Sequence, residues 1–199
     1  MRRVAIALLA PIGLAACTTP SGPVEVTRFV EPSTQSRLGS GAIFIETAPG
    51  LNEDEALLLP YKAAVARELV ALGYRETPRD QAGQIAQVQV SRGVIGESGG
   101  RSPVSVGVGG STGSYGSGVG LGIGINLGGG QKEELSTRLQ VMIRDGMTGQ
   151  SLWEGRAQLE VGSKAVLADP SQNASVLADA LFTEFPGNNG ETIAVPVPE

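Results

Sequence analysis

Residues 93–130 hold 16 of the chain's 29 glycines and only two charges, Glu97 and Arg101. Glycine brings no side chain to a core and loses the most conformational freedom on folding, so this stretch cannot furnish a domain interior. Whatever folds here must fold from the residues on either side. One domain interrupted by an insert is therefore the reading that suits 199 residues. The insert has a pattern of its own. Val104, Val106 and Val108 alternate with Ser105 and Gly107. Beyond a Gly/Ser link containing Tyr115, Val119, Leu121, Ile123, Ile125 and Leu127 alternate with Gly120, Gly122, Gly124 and Asn126. Period-two alternation predicts two strands facing each other, each with one apolar and one bare face.

Three uses of such a hairpin compete. It is a long insert resting its apolar side on the domain, a surface for a partner or for self-association, or a hairpin that enters a membrane. Residues 119–127 approach the roughly 9–11 residues that a tilted transmembrane strand needs. Missing aromatic girdles, and glycine where a polar lumen face belongs, argue against the third use.

The flanks supply the core. Residues 24–29 alternate weakly between Pro23 and Pro32, which predicts an edge strand. Residues 42–46 are β-branched and aromatic, a stronger strand. Asn52 followed by Glu55 resembles a capping box, and Leu58, Tyr61, Val65, Leu69 and Leu72 then recur at helical spacing up to Gly73. Pro60 within that run predicts a kink or a helix that restarts there. Residues 85–90 and 134–145 alternate as strands, and residues 145–149 form a turn returning into a strand over 152–159. Asp169 and Pro170 open a second helix whose buried face is Val176, Leu177, Ala180, Leu181 and Phe185. Val195-Pro196-Val197-Pro198 reads as an extended tail. The fold class is α+β, a mostly antiparallel sheet of about 4–6 strands with two helices on one face and a Gly-rich hairpin insert.

Ahead of these elements stand Arg2 and Arg3, then an apolar run over residues 4–16, the layout of a secretory leader too short to span a bilayer as a helix. The leader closes on Leu14-Ala15-Ala16-Cys17, which resembles the lipobox of bacterial lipoproteins. That resemblance implies cleavage before Cys17 and acylation of it. Cys17 is the chain's one cysteine, and acylation would remove a lone thiol from an oxidising compartment. One acyl chain holds a protein only marginally, but the several chains such lipoproteins carry would anchor it without a transmembrane helix. Thr18 follows Cys17 where enterobacterial lipoproteins retained at the inner membrane have Asp, so outer-membrane delivery, facing the periplasm, is expected. The expected organisation is a signal peptide over 1–16, a lipidated terminus and linker over 17–23, one periplasmic domain over 24–187 with its insert at 93–130, and a mobile tail over 188–199.

Tests for chemistry exclude more than they find. The net charge is −5 and the basic residues are not clustered, which disfavours a nucleic-acid partner. The chain has no histidine, which removes Ser-His-Asp and Cys-His catalysis and His-based metal sites. Gly109-Gly110-Ser111-Thr112-Gly113 matches the nucleophile-elbow pattern but lies in low-complexity sequence with no base to serve it. Asn173-Ala174-Ser175 fits a glycosylation acceptor that a bacterial-type leader makes coincidental. Asp145 and Glu154, flanking the last hairpin, are candidates for paired carboxylates, though a turn aspartate and a solvent-facing strand glutamate explain them equally well. Trp153, the single tryptophan, is expected to pack in the core. No catalytic, metal or cofactor residue is assigned.

Leu139-Gln140-Val141-Met142-Ile143-Arg144-Asp145, Thr148-Gly149, Leu152-Trp153-Glu154-Gly155-Arg156-Ala157 and Phe185-Pro186 together resemble bacterial envelope lipoproteins of domain-of-unknown-function family 4136. Val65 to Leu69 with Gly73-Tyr74 resembles that family's first helix. The resemblance covers roughly residues 24–186 and implies a lipid-anchored periplasmic domain with no catalytic residues to carry over. The function expected is a non-catalytic outer-membrane lipoprotein that binds or scaffolds an envelope partner. The alternative is an oligomeric assembly whose Gly-rich hairpins insert in or line the membrane.

Overall fold

A computed structural model describes residues 22–49, 55–95, 104–111, 118–125 and 133–198. Its main sheet has seven strands: β1 (Val24–Val30), β2 (Gly41–Thr47), β3 (Tyr74–Glu76), β4 (Gln84–Ile95), β7 (Glu134–Asp145), β8 (Ser151–Gly162) and β9 (Thr192–Val195). They lie in the order β3-β2-β4-β7-β8-β1-β9. Helices α1 (Glu55–Ala71) and α2 (Pro170–Phe182) complete the body. The class is α+β, as expected. The sheet has seven strands rather than 4–6, and it is mixed. Four pairings are antiparallel, while β2 runs parallel to both β3 and β4. The parallel pairs follow from α1, which lies between β2 and the strands that return beside it, since parallel neighbours need such a crossover.

Alternation decides which face meets the helices. Val24, Val26 and Val30 on β1, Ile43 and Ile45 on β2, Ala86, Val88 and Val90 on β4 are all buried. So are Leu139, Val141 and Ile143 on β7, and Ala157, Leu159 and Val161 on β8. Against them pack Leu58, Tyr61, Ala64, Val65 and Leu69 of α1 and Ala174, Leu177, Ala178, Ala180, Leu181 and Phe182 of α2. Each buried Val, Leu or Ile contributes about 1.5–3 kcal/mol of transfer free energy, so a core nearly without aromatics suffices. A register shift at Ile143/Arg144 makes Leu152 an extra residue, and both Leu152 and Trp153 end up inside.

Several local expectations are corrected. β1 is interior, not an edge, because residues expected to trail away as a tail form β9 and pair with it from Val24↔Val195 to Thr27↔Thr192. The α1 helix runs through Pro60 as one element and stops at Ala71, where Gly73 takes φ +110°. The Asn52 cap lies outside the described residues. The α2 helix ends at Phe182, so Phe185 packs on the core from the turn beyond rather than from the helix. Val176 is only partly buried, while Asn173 is wholly buried. Asp169 caps α2 as expected, accepting from the Ser171 N–H at 2.9 Å and the Gln172 N–H at 3.1 Å.

The insert leaves and returns through a closed ladder. β4 and β7 pair without interruption from Gln84↔Asp145 to Ile95↔Glu134, so residues 95 and 134 face each other. Within it, β5 (Val104–Ser111) and β6 (Gly118–Ile125) form a separate two-stranded antiparallel ribbon, the two facing strands expected. Val104 opposes Ile125, Val106 opposes Ile123 and Val108 opposes Leu121, while Ser105, Gly107, Gly109 and Ser111 oppose Gly124, Gly122, Gly120 and Gly118.

Candidate functional site

Strand parity that buries one face of the sheet leaves the other, among the described residues, without an α-helix over it, and that second face is polar. Across its middle, Arg138 of β7, Gln158 of β8 and Glu25 of β1 occupy one row, and Gln140, Arg156 and Thr27 the next. These six residues line a shallow open groove of about 330 Å³. Arg138 donates to Gln158 Oε1 through Nε at 3.1 Å and Nη2 at 2.7 Å, and Gln158 donates on to Glu160 at 3.0 Å. Glu154 accepts from Gln140 at 3.1 Å and from Arg156 Nε at 2.9 Å. Beside it Phe29, 42% exposed, carries the Arg156 guanidinium 5.6 Å from its ring centroid. Farther across, Gln87 donates to Glu46 at 3.0 Å, and Glu46 pairs with Arg79. Donors and acceptors alternate, with both signs of charge interspersed, and such exposed pairs are worth little stability each. The face can engage a polar partner.

The sequence candidates scatter. Asp145 is on the helix-bearing side and Glu154 on the open side, so the two carboxylates are not brought together. Asp145 closes its own turn, accepting from the Thr148 N–H at 2.8 Å, the Met147 N–H at 3.0 Å and the Thr148 hydroxyl at 3.0 Å, and it pairs with Arg37. The Thr148 N–H foremost, then Arg37, hold its carboxyl well below the usual carboxylate range. Trp153 is core, as expected. It stacks on Phe182 at 5.5 Å, meets Phe185 at 5.1 Å, and donates its indole N–H to the Pro186 carbonyl at 2.9 Å. Gly109, Gly110 and Ser111 end β5, and the next described element is a strand, not the helix an elbow requires. Asn173 is buried with both ends of its amide bonded, which leaves nothing for a glycosyl transfer. Cys17, the leader and the linker up to residue 21 lie outside the described residues.

Two polar constellations went unread in the sequence. Arg28 is fully buried in the apolar phase of β1. Its guanidinium donates to the carbonyls of Leu181 at 3.2 Å, Ala180 at 3.4 Å and Thr183 at 2.5 Å, the C-terminal end of α2, and to Glu191 Oε1 at 2.9 Å. The second surrounds the Tyr61 hydroxyl, which donates to Asn173 Oδ1 at 2.9 Å while Asn173 donates to the Leu167 carbonyl at 3.0 Å. Burial foremost pushes the Tyr61 phenol up, with Arg92 opposing. Arg92 donates to the Ala168 carbonyl, yet its Nε and the neighbouring Thr137 Oγ1 are buried without a geometrically sound bond. A charged or amide residue in phase with strand or helix apolar positions was the available signal. Both constellations tie α2 to the sheet and to α1, a structural task.

Where the insert departs, Val94 is 63% exposed and Ile95 43% exposed, and Val166 in the turn after β8 is 77% exposed. Among the described residues no group of three His, Cys, Asp or Glu is arranged to hold a metal. Nor is any described helix long and apolar enough to cross a membrane.

No family model matches the chain. An uncharacterized protein of Zymomonas mobilis is 41% identical over 61 residues, 31% of this chain and 22% of that relative, so the match spans about a fifth of the relative's length. Among solved structures, the PelC dodecamer from Paraburkholderia phytofirmans is similar at 13% identity and TM-score 0.46, covering 83% of this chain and 99% of that one. A PDZ domain protein from Parabacteroides distasonis is similar at 12% identity and TM-score 0.49, covering 87% of this chain and 39% of that one.

Proposed function

We propose that this chain is a lipid-anchored envelope lipoprotein, resembling those of domain-of-unknown-function family 4136, that holds a non-catalytic α+β domain against the periplasmic face of the outer membrane and there binds a protein partner. The observation that carries the reading is Leu14-Ala15-Ala16-Cys17 at the end of an apolar leader, with Cys17 the chain's one cysteine. Cys17 is the acylated residue, and β1 begins only seven residues later at Val24, so the domain stays within about 25 Å of the bilayer at full chain extension. The lack of histidine and the placing of Asp145 and Glu154 on opposite faces support a binding role. A second reading, an assembly whose Gly-rich hairpins line or enter the membrane, draws on the β5–β6 ribbon.

The test is fractionation of envelopes from cells expressing the wild type and Cys17→Ala, with mass spectrometry of the mature N-terminus. The expected result is a triacylated Cys17 in the outer-membrane fraction and a soluble periplasmic variant. A variant that stays with the membrane, or a wild type without acyl groups, overturns the reading.

A further inference from the structure

The sheet edges of this protein are treated in two opposite ways. In the seven-stranded sheet both edges are blunted. β3 has three residues, with Arg75 and Glu76 exposed and Pro78 following, and β9 has four, followed by Pro196 and Pro198. Short strands, charges and prolines are the means by which proteins keep an edge from pairing. In the ribbon, β5 has only Pro103 ahead of it and β6 has none of them. Each of its strands is eight residues long, neither holds a charge or a proline, and residues 102–131 are uncharged throughout. Among the described residues each strand has one partner, so toward them each leaves an outer row of backbone groups, about four N–H and four C=O, unpaired.

We propose that the outer edge of β6 pairs antiparallel with the β6 edge of a second copy of this chain, making a four-stranded intermolecular sheet. The occupant must be a strand with period-two apolar residues, small residues between them and no charge. Among the described residues that pattern belongs to the ribbon itself. β6 is the stricter edge, since it alternates without a break from Gly118 to Ile125, whereas β5 is interrupted at Gly109-Gly110. Apolar phase meets apolar phase only if the two-fold axis passes through a residue of β6, which makes the contact isologous and closed at two copies. Anchoring at Cys17 would concentrate copies on one surface and favour pairing; that clause alone rests on the lipoprotein reading.

The test uses the full chain in membranes, with single cysteines at Gly120, Gly122 and Gly124 and mild oxidation. The expected result is a disulfide-linked dimer strongest at the cysteine on the axis, or equal at the two that flank an axis through Leu121 or Ile123, and at least about threefold weaker at the cysteine farthest from it, because disulfides form only with Cβ atoms about 3.5–4.5 Å apart. Leu121→Lys, measured by light scattering in detergent, is expected to shift dimer to monomer with Trp153 fluorescence and the melting transition unchanged. Equal or absent crosslinking at all three sites overturns the proposal. So does protection of the three cysteines from a water-soluble maleimide without dimer, which would place the ribbon in the bilayer. A soluble Cys17→Ala protein that still crosslinks at raised concentration keeps the pairing and rejects only the dependence on the anchor.

Discussion

Replacing Arg28 by Met keeps most of the side chain's length and apolar stem while removing its charge and every donor. The structure supplies the terms. Three carbonyls at the C-terminal end of α2 lose a charged donor, and the Glu191 carboxylate loses an ion pair whose arginine is fully buried. Hydrogen bonds to charged groups are worth about 1.5–3 kcal/mol each, but the losses do not sum, because the helix end partly rehydrates. Glu191 keeps the Asn188 amide at 3.0 Å and stands 20% exposed, so its charge is not stranded. The net loss is therefore expected at about 1–3 kcal/mol, the cost of leaving buried acceptors without a donor. Urea unfolding of the full chain in detergent, followed through Trp153, would read a midpoint drop of about 0.5–1.5 M at a slope near 2 kcal/mol/M. Trp153 suits the assay because it stacks on Phe182, the last residue of α2. A drop below about 0.5 M with unchanged slope would refute the reasoning, since it would mean that the α2 terminus needs no internal donor.

Acid is expected to weaken the fold. Glu191 is lowered, first by the Asn188 backbone N–H, then by the Asn188 amide and Arg28, and Asp145 is lowered by Thr148 and Arg37. A carboxyl lowered in the folded state contributes stability that is complete above its unfolded pKa, about 3.9 for Asp and 4.3 for Glu, and is lost as pH falls through the folded value. The urea midpoint should thus hold from neutral pH to about 5 and decline below about 4.5, more shallowly in Asp145→Asn/Glu191→Gln; a parallel decline in that variant rejects the assignment. Gly155→Ala should destabilise by about 1–3 kcal/mol in thermal melts, the range for overpacking. A Cβ at Gly155 would meet the Trp153 ring and lie 2.8 Å from Leu181 Cδ1, and a neutral result would show that this corner yields.

Where a strand alternates over several residues, its place was readable, as at residues 85–90 and 134–145. β3 and β9 were not readable for the reason that they suit an edge. Tyr74-Arg75-Glu76 is too short to show a period, and Thr192-Ile193-Ala194-Val195 runs into prolines that suggest an extended tail. Their pairing is made by backbone groups, which leave no trace in side-chain pattern. Missing β9 also misplaced β1 at an edge. Arg28 was visible as a charge in phase with Val24, Val26 and Val30, but its acceptors are carbonyls about 150 residues away. The polar open face follows directly from alternation, whereas its cross-strand rows depend on registers that a single strand does not encode.

The facing of Ile95 and Glu134 has a meaning for how this protein can change. Because the ladder closes before the chain departs, the chain leaves and re-enters the body at two adjoining residues. Closure entropy grows only with the logarithm of loop length, so exchanging the excursion for one of about ten residues alters stability by only about 1 kcal/mol. That end of the sheet is a permissive socket. Lineages, or an engineer, can lengthen, shorten or replace what it carries while the scaffold beneath keeps its shape.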